Sequence, residues 1–157
     1  MSKTDYELLD SQLHALLDGE HDALAATGNF VALLFNAIPE INWLGVYVLR
    51  GDELVLGPFQ GKPACVHIAL DEGVCGAAAS TLETQRVADV HAFPGHIACD
   101  VDSRSELVVP LIVHDQLIGV LDIDSPITRR FSEDDQAGVE KLCASFCVLQ
   151  ESRKYFI

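Results

Sequence analysis

The stretch Leu107-Val108-Val109-Pro110-Leu111-Ile112-Val113-His114-Asp115-Gln116-Leu117-Ile118-Gly119-Val120-Leu121-Asp122-Ile123 decides the fold class. Two runs of aliphatic, largely β-branched residues flank the polar triplet His114-Asp115-Gln116, the pattern of antiparallel strands joined by a turn. Pro110 has no backbone N–H to give a neighbouring strand, so an edge or a bulge is expected there. Upstream, Trp43-Leu44-Gly45-Val46-Tyr47-Val48-Leu49 turns through Arg50-Gly51-Asp52 into Glu53-Leu54-Val55-Leu56, which reads as another hairpin.

Helical periodicity lies outside these strands. Leu9, Leu13, Leu16 and Leu17 recur at three- and four-residue steps within Tyr6–Leu17, the spacing of one helical face. Leu24, Phe30, Val31, Leu34, Phe35 and Ile38 suggest a second helix that Pro39 ends, although Gly28 weakens it. Ser132-Glu133-Asp134-Asp135 has the form of a helix cap, and Val139, Leu142, Cys143, Phe146 and Leu149 follow as one apolar stripe. The order is helix, helix, hairpin, long loop-rich middle, hairpin, helix. It predicts an α+β domain with a mainly antiparallel sheet: a helical segment over 5–38, sheet and loops over 42–128, and a C-terminal helix over 132–152.

The 157 residues suit one domain, and 49% hydrophobic against 22% charged residues is a globular composition. Ten Lys and Arg against 24 Asp and Glu give a net charge of −14, which repels phosphate backbones and anionic lipid heads. Nucleic acid and membrane are therefore excluded as expected partners. Apolar runs such as Phe30–Phe35 are far shorter than the roughly 20 residues a membrane span needs. The first residues carry acids where a signal peptide would be basic, so the cytoplasm is the expected location. In that compartment the five cysteines are expected to be thiols, metal ligands or redox centres rather than a disulfide framework.

Candidate chemistry concentrates between Leu56 and Cys99, where Cys65, Cys75 and Cys99 stand among Gly, Pro and His. Singly, each would read as a small buried hydrophobe, but three in a loop-rich stretch favour reactive roles. Cys143 and Cys147 share a helical face with core residues and read as packing. Asp122 and Asp124 alternate with apolar neighbours at a strand end, so both carboxylates project to one face, and Glu106 can lie beside them if the register allows. Such acids either receive a cation or form ion pairs with Arg104, Arg129 or Arg130. Trp43 and Tyr47, four apart on a strand, share a side of the sheet as core or as the apolar wall of a ligand site. His67, His91 and His96 offer a zinc alternative with the cysteines, without a recognised ligand spacing.

Several segments resemble the free methionine-(R)-sulfoxide reductases, enzymes built on a GAF-type domain. The likeness lies in Asn42–Tyr47, Leu56-Gly57-Pro58-Phe59-Gln60-Gly61-Lys62-Pro63-Ala64-Cys65, Gly73-Val74-Cys75-Gly76, Asp89–Asp100, Ser103-Arg104-Ser105-Glu106 and Gly119–Pro126. The resemblance implies a GAF domain with a central antiparallel sheet of about six strands and helices from both chain ends on one face. It also implies reduction of free L-methionine (R)-sulfoxide through a cysteine sulfenic acid and an intramolecular disulfide, recycled by thioredoxin without metal or organic cofactor. Cys99 is then the nucleophile, Cys65 the leading resolving cysteine and Cys75 a further redox cysteine. Attack by Cys75 with Cys99 resolving is the other order. Glu106, Asp122 and Asp124 are implied to bind the substrate ammonium and to polarise or protonate the sulfoxide oxygen, with Trp43 and Tyr47 enclosing the methyl end. By analogy with GAF domains a homodimer is expected. A noncatalytic GAF sensor and a metal-binding module are the alternatives.

Overall fold

A computed structural model describes residues 3–96 and 101–151. The chain runs α1 (Tyr6–Leu17), α2 (Ala23–Ala37), β1 (Trp43–Arg50), β2 (Glu53–Gln60), β3 (His67–Ala69), α3 (Gly73–Thr81), β4 (Gln85–Val87), β5 (Ser105–Val113), β6 (Gln116–Ser125) and α4 (Glu133–Glu151). The strands form one antiparallel sheet in the order β3-β2-β1-β6-β5-β4.

Local chemistry sets the element boundaries. Asp5 and Asp22 cap α1 and α2 by accepting from the Leu8 and Ala25 N–H groups at 3.0 and 2.9 Å. At α4 the Asp135 N–H donates to Ser132 Oγ at 3.1 Å while the Ser132 N–H donates to Asp135 Oδ2 at 2.9 Å, a reciprocal capping box. The β5–β6 turn is tighter than the expected triplet. His114 and Asp115, at φ 51° and 61°, make a two-residue turn whose handedness matches the strand twist, and Gln116 already belongs to β6. Pro110 sits beyond the end of β4, where β5 has no second neighbour, and the register shifts between Leu111 and Ile112.

Side-chain alternation divides the sheet between two cores. Leu44, Val46 and Val48 of β1, Leu107, Val109 and Leu111 of β5, and Leu121 and Ile123 of β6 face a layer made by α1, α2 and α4. Phe30 of α2 and Phe146 of α4 stack there with ring centroids 4.2 Å apart. The intervening residues Trp43, Tyr47, Val108 and Val120 face the other side and pack on α3 and β3. Helices from both chain ends thus cover one face, and the second face carries a smaller cover.

The middle of the chain is more ordered than its composition suggests. β2 continues four residues past Leu56, with Gly57 and Pro58 absorbed by a register shift opposite Val46. Cys75 lies in the first turn of a helix, not in a loop, and is buried. Among the described residues no helix is long and apolar enough to cross a membrane.

Candidate active site

The second face of the sheet holds a pocket built from three strands and one helix. β1 supplies Trp43 and Tyr47, β5 Glu106, β6 Asp122 and Asp124, and α3 Cys75. The antiparallel register places Glu106 opposite Asp124, and Val108 opposite Asp122, so the three carboxyls cluster on neighbouring strands. The cavity between them measures about 40 Å³, room for a few waters.

The aromatic wall depends on Gly45. A Cβ there would approach Phe59 Cβ and the Trp43 ring to 2.5 Å. Without it, the indole lies back along the strand and stacks on Tyr47 and Phe59, with centroids 5.9 and 5.3 Å away. Both polar tips then reach one loop: Trp43 Nε1 donates to the Lys62 carbonyl at 3.0 Å, and the Tyr47 hydroxyl donates to the Cys65 carbonyl at 2.9 Å. Pro63 and Ala64, between those anchors, line the pocket. Cys65 itself is disulfide-bonded, whereas Cys75, Cys143 and Cys147 are free thiols. Cys99, the expected nucleophile, lies outside the described residues.

Burial controls the electrostatics. Glu106 and Asp122 are each 6% exposed. Burial, then the Asp122 and Asp124 charges, push the Glu106 carboxyl well above the ordinary range. Burial raises Asp122 as well, against hydrogen bonding from Glu106 and Cys75 that favours its ionised form. Burial, followed by the charges of Asp122, Glu106 and Asp124, pushes the Cys75 thiol far up, so it rests protonated and poorly nucleophilic. His96 Nε2 lies 4.0 Å from Glu106 Oε1, too long for a hydrogen bond. Burial and His91 lower the His96 pKa, which leaves that contact between two largely neutral groups. The Oδ1 atom of Asp122 is buried without a hydrogen-bond partner.

The candidate zinc histidines do not converge among the described residues. His67 sits on edge strand β3 and pairs with Glu53 at 3.0 Å, and His91 is exposed, leaving His96 as the pocket's histidine. Of the expected arginine partners, Arg130 is engaged elsewhere. Arg130 donates to the Pro39 carbonyl and to Asp135 Oδ2 at the start of α4. Asp102, which follows the cysteine in sequence, binds Lys62 Nζ at 2.8 Å, and this hydrogen bond lowers its pKa.

Sequence reasoning missed the start of α3. Glu72, Gly73 and Val74 line the pocket, and no side chain caps this helix. Its free N–H groups can receive an anion. Gly73, at φ 63° as the first residue of α3, is the signal that could have revealed it. Ser103, buried at the foot of β5, is a further lining residue that was not singled out.

The comparisons agree with this architecture. The GAF domain model matches residues 10–148. The free methionine-R-sulfoxide reductase of Escherichia coli K12 is 51% identical over 145 residues, covering 92% of this chain and 88% of its own. The fRMsr structure of Staphylococcus aureus in its reduced form superposes with a TM-score of 0.91 at 49% identity, over 95% of this chain and 99% of that one. The free methionine-R-sulfoxide reductase of Neisseria meningitidis, solved in complex with its substrate, gives a TM-score of 0.91 at 39% identity, over 97% and 94% of the two chains. A six-stranded GAF fold, a closed acidic and aromatic pocket, and relatives this similar along nearly their whole length place the chain in the free methionine-R-sulfoxide reductase family.

Proposed function

We propose that this protein reduces free L-methionine (R)-sulfoxide to L-methionine and that its pocket is the site of the reaction. The observation that carries this reading is the opposition of two buried carboxyls of raised pKa, Glu106 and Asp122, to an aromatic wall whose hydroxyl holds the Cys65 loop. The apolar wall suits the methyl end of the substrate, the carboxyl cluster with Asp124 its ammonium, and the uncapped start of α3 its carboxylate.

In this scheme the Cys99 thiolate attacks the sulfoxide sulfur while Glu106 gives its proton to the departing oxygen. The protonated oxygen passes to the Cys99 sulfur as the bond between the two sulfurs breaks, so methionine leaves and Cys99 becomes a sulfenic acid. The Cys65 thiol then displaces water from that sulfur to form the disulfide, and a dithiol such as thioredoxin reduces it by exchange. The raised pKa of Cys75 argues against its serving as the attacking thiolate and leaves it a secondary part in the redox sequence.

The test is incubation of reduced protein with racemic free L-methionine sulfoxide and excess dithiol, with the epimers resolved by chiral chromatography. Loss of the R epimer alone is expected, together with little turnover of the N-acetylated substrate, which lacks the ammonium. Survival of both epimers would favour a noncatalytic sensor. Cys99→Ser should abolish methionine release, and Cys65→Ser should release about one equivalent before stalling.

A further inference from the structure

We propose that Cys75, Glu106 and Asp122 together form a zinc-binding site within the pocket. One ligand atom from each, the Cys75 Sγ and a carboxylate oxygen from Glu106 and from Asp122, lies within 4.8 Å of the others, and all three residues are buried. Zinc bonds of about 2.3 Å to sulfur and about 2.0 Å to oxygen bring ligand atoms to such separations with modest side-chain closure. The three residues come from α3, β5 and β6, so packed elements fix their approach independently. Asp122 Oδ1, buried and without a hydrogen-bond partner, supplies an acceptor that the protein itself does not satisfy.

The donor set selects the ion. A thiolate beside two carboxylates is borderline-soft and disfavours magnesium and calcium, which prefer oxygen alone. His96 lines the same pocket 4.0 Å from Glu106 but stands outside the three-atom cluster, so the fourth position falls to water. Zinc binding displaces the Cys75 thiol proton and the proton held by Glu106 to solvent, and offsets the negative charge so formed. Cys65 is not needed, since the cluster is assembled while Cys65 is disulfide-bonded. The ion occupies the position assigned above to the substrate ammonium, so it acts as a competitive inhibitor; this consequence rests on the reductase reading, whereas the binding does not.

The experiment is titration of the full-length protein with Co²⁺ as a spectroscopic stand-in, followed by displacement with Zn²⁺. A thiolate-to-cobalt charge-transfer band saturating at a single equivalent, and removed by Zn²⁺, is expected. Cys75→Ala should lose the band, and Asp122→Asn and Glu106→Gln should each weaken binding at least about tenfold. Cys65→Ser should retain it. Circular dichroism verifies each fold, and if Cys75→Ala does not fold the two carboxyl variants carry the test. Absence of the band from the unsubstituted protein, its persistence in folded Cys75→Ala, or its loss in Cys65→Ser would overturn the site. Methionine release measured on the same preparation without metal separates the two readings. Turnover without cobalt binding removes only the metal site, and cobalt binding without turnover removes only the reductase.

Discussion

Glu106 is held as an acid by its surroundings, and the same burial that equips it for proton donation costs the fold stability. Replacing it with Gln keeps the shape while removing the proton and the charge. Glu106→Gln is expected to slow first-turnover methionine release about 100-fold or more. It should also raise the melting temperature by about 2–4 °C, the shift that ~1 kcal/mol gives a domain of this size. Unchanged release would remove Glu106 as the proton donor. Tyr47 has a separable role, because its ring forms the wall while its hydroxyl holds the Cys65 carbonyl. Tyr47→Phe should leave first-turnover release nearly intact and slow steady-state turnover about fivefold, the effect of ~1 kcal/mol. Single-turnover and steady-state rates that fall together would show that the hydroxyl does not act through the Cys65 loop. The placement of these side chains was legible from strand alternation, which put Trp43 with Tyr47 and Asp122 with Asp124. The Glu106–Asp124 pairing needed the register, and the elevated Cys75 pKa needed the packing, neither of which residue spacing contains.

At the scale of elements, the long helices and hairpins were legible because each carries an apolar period and a recognisable stop. The helix α3 was not, since Gly73-Val74-Cys75-Gly76-Ala77-Ala78-Ala79 is made of small residues that present no amphipathic stripe. It is formed by packing: Ala78 and Ala79 are buried against the sheet, and a Cβ on Gly76 would come within 2.9 Å of the Ala69 carbonyl oxygen. The three-residue strands β3 and β4 are likewise too short to show a period. Elsewhere, Asp135 joins α1 to α4 and, through Arg130, to the turn that follows α2. It accepts from Tyr6 Oη at 2.7 Å and from Arg130 at 3.0 Å, while Arg130 also reaches the Pro39 carbonyl. Asp135→Ala removes the side-chain half of the capping box and leaves the buried Arg130 guanidinium without its carboxylate. A loss of about 3 kcal/mol is expected in denaturant unfolding, and a loss below about 0.5 kcal/mol would show that solvent replaces the carboxylate.

For the molecule as a whole, these carboxyls pull the pH dependence of stability in opposite directions. Burial raises the Asp135 pKa, but the Ser132, Tyr6 and Arg130 contacts outweigh it and hold the carboxyl below its ordinary 3.8. Its contribution is therefore present above that value and disappears as pH falls through the lowered one. Glu106 and Asp122 are shifted upward, so their contribution is greatest in acid and is lost as pH rises through their raised pKa values. Thermal melts across pH should show a decline toward alkali that is reduced in Glu106→Gln and an acid decline that is reduced in Asp135→Asn. Identical pH profiles for both variants and the unsubstituted protein would reject this assignment.

The alternation along β6 has a consequence for how the chain finds its structure. Leu121 and Ile123 face the helical layer, while Val120, Asp122 and Asp124 face the pocket side. A slip of one residue against β1 or β5 would drive two carboxylates toward Phe30 and Phe146 and turn the aliphatic pair into the acidic cavity. The acids that suit the pocket for its ligand therefore also penalise a misaligned strand, so the chemistry of the site proofreads the pairing of the sheet.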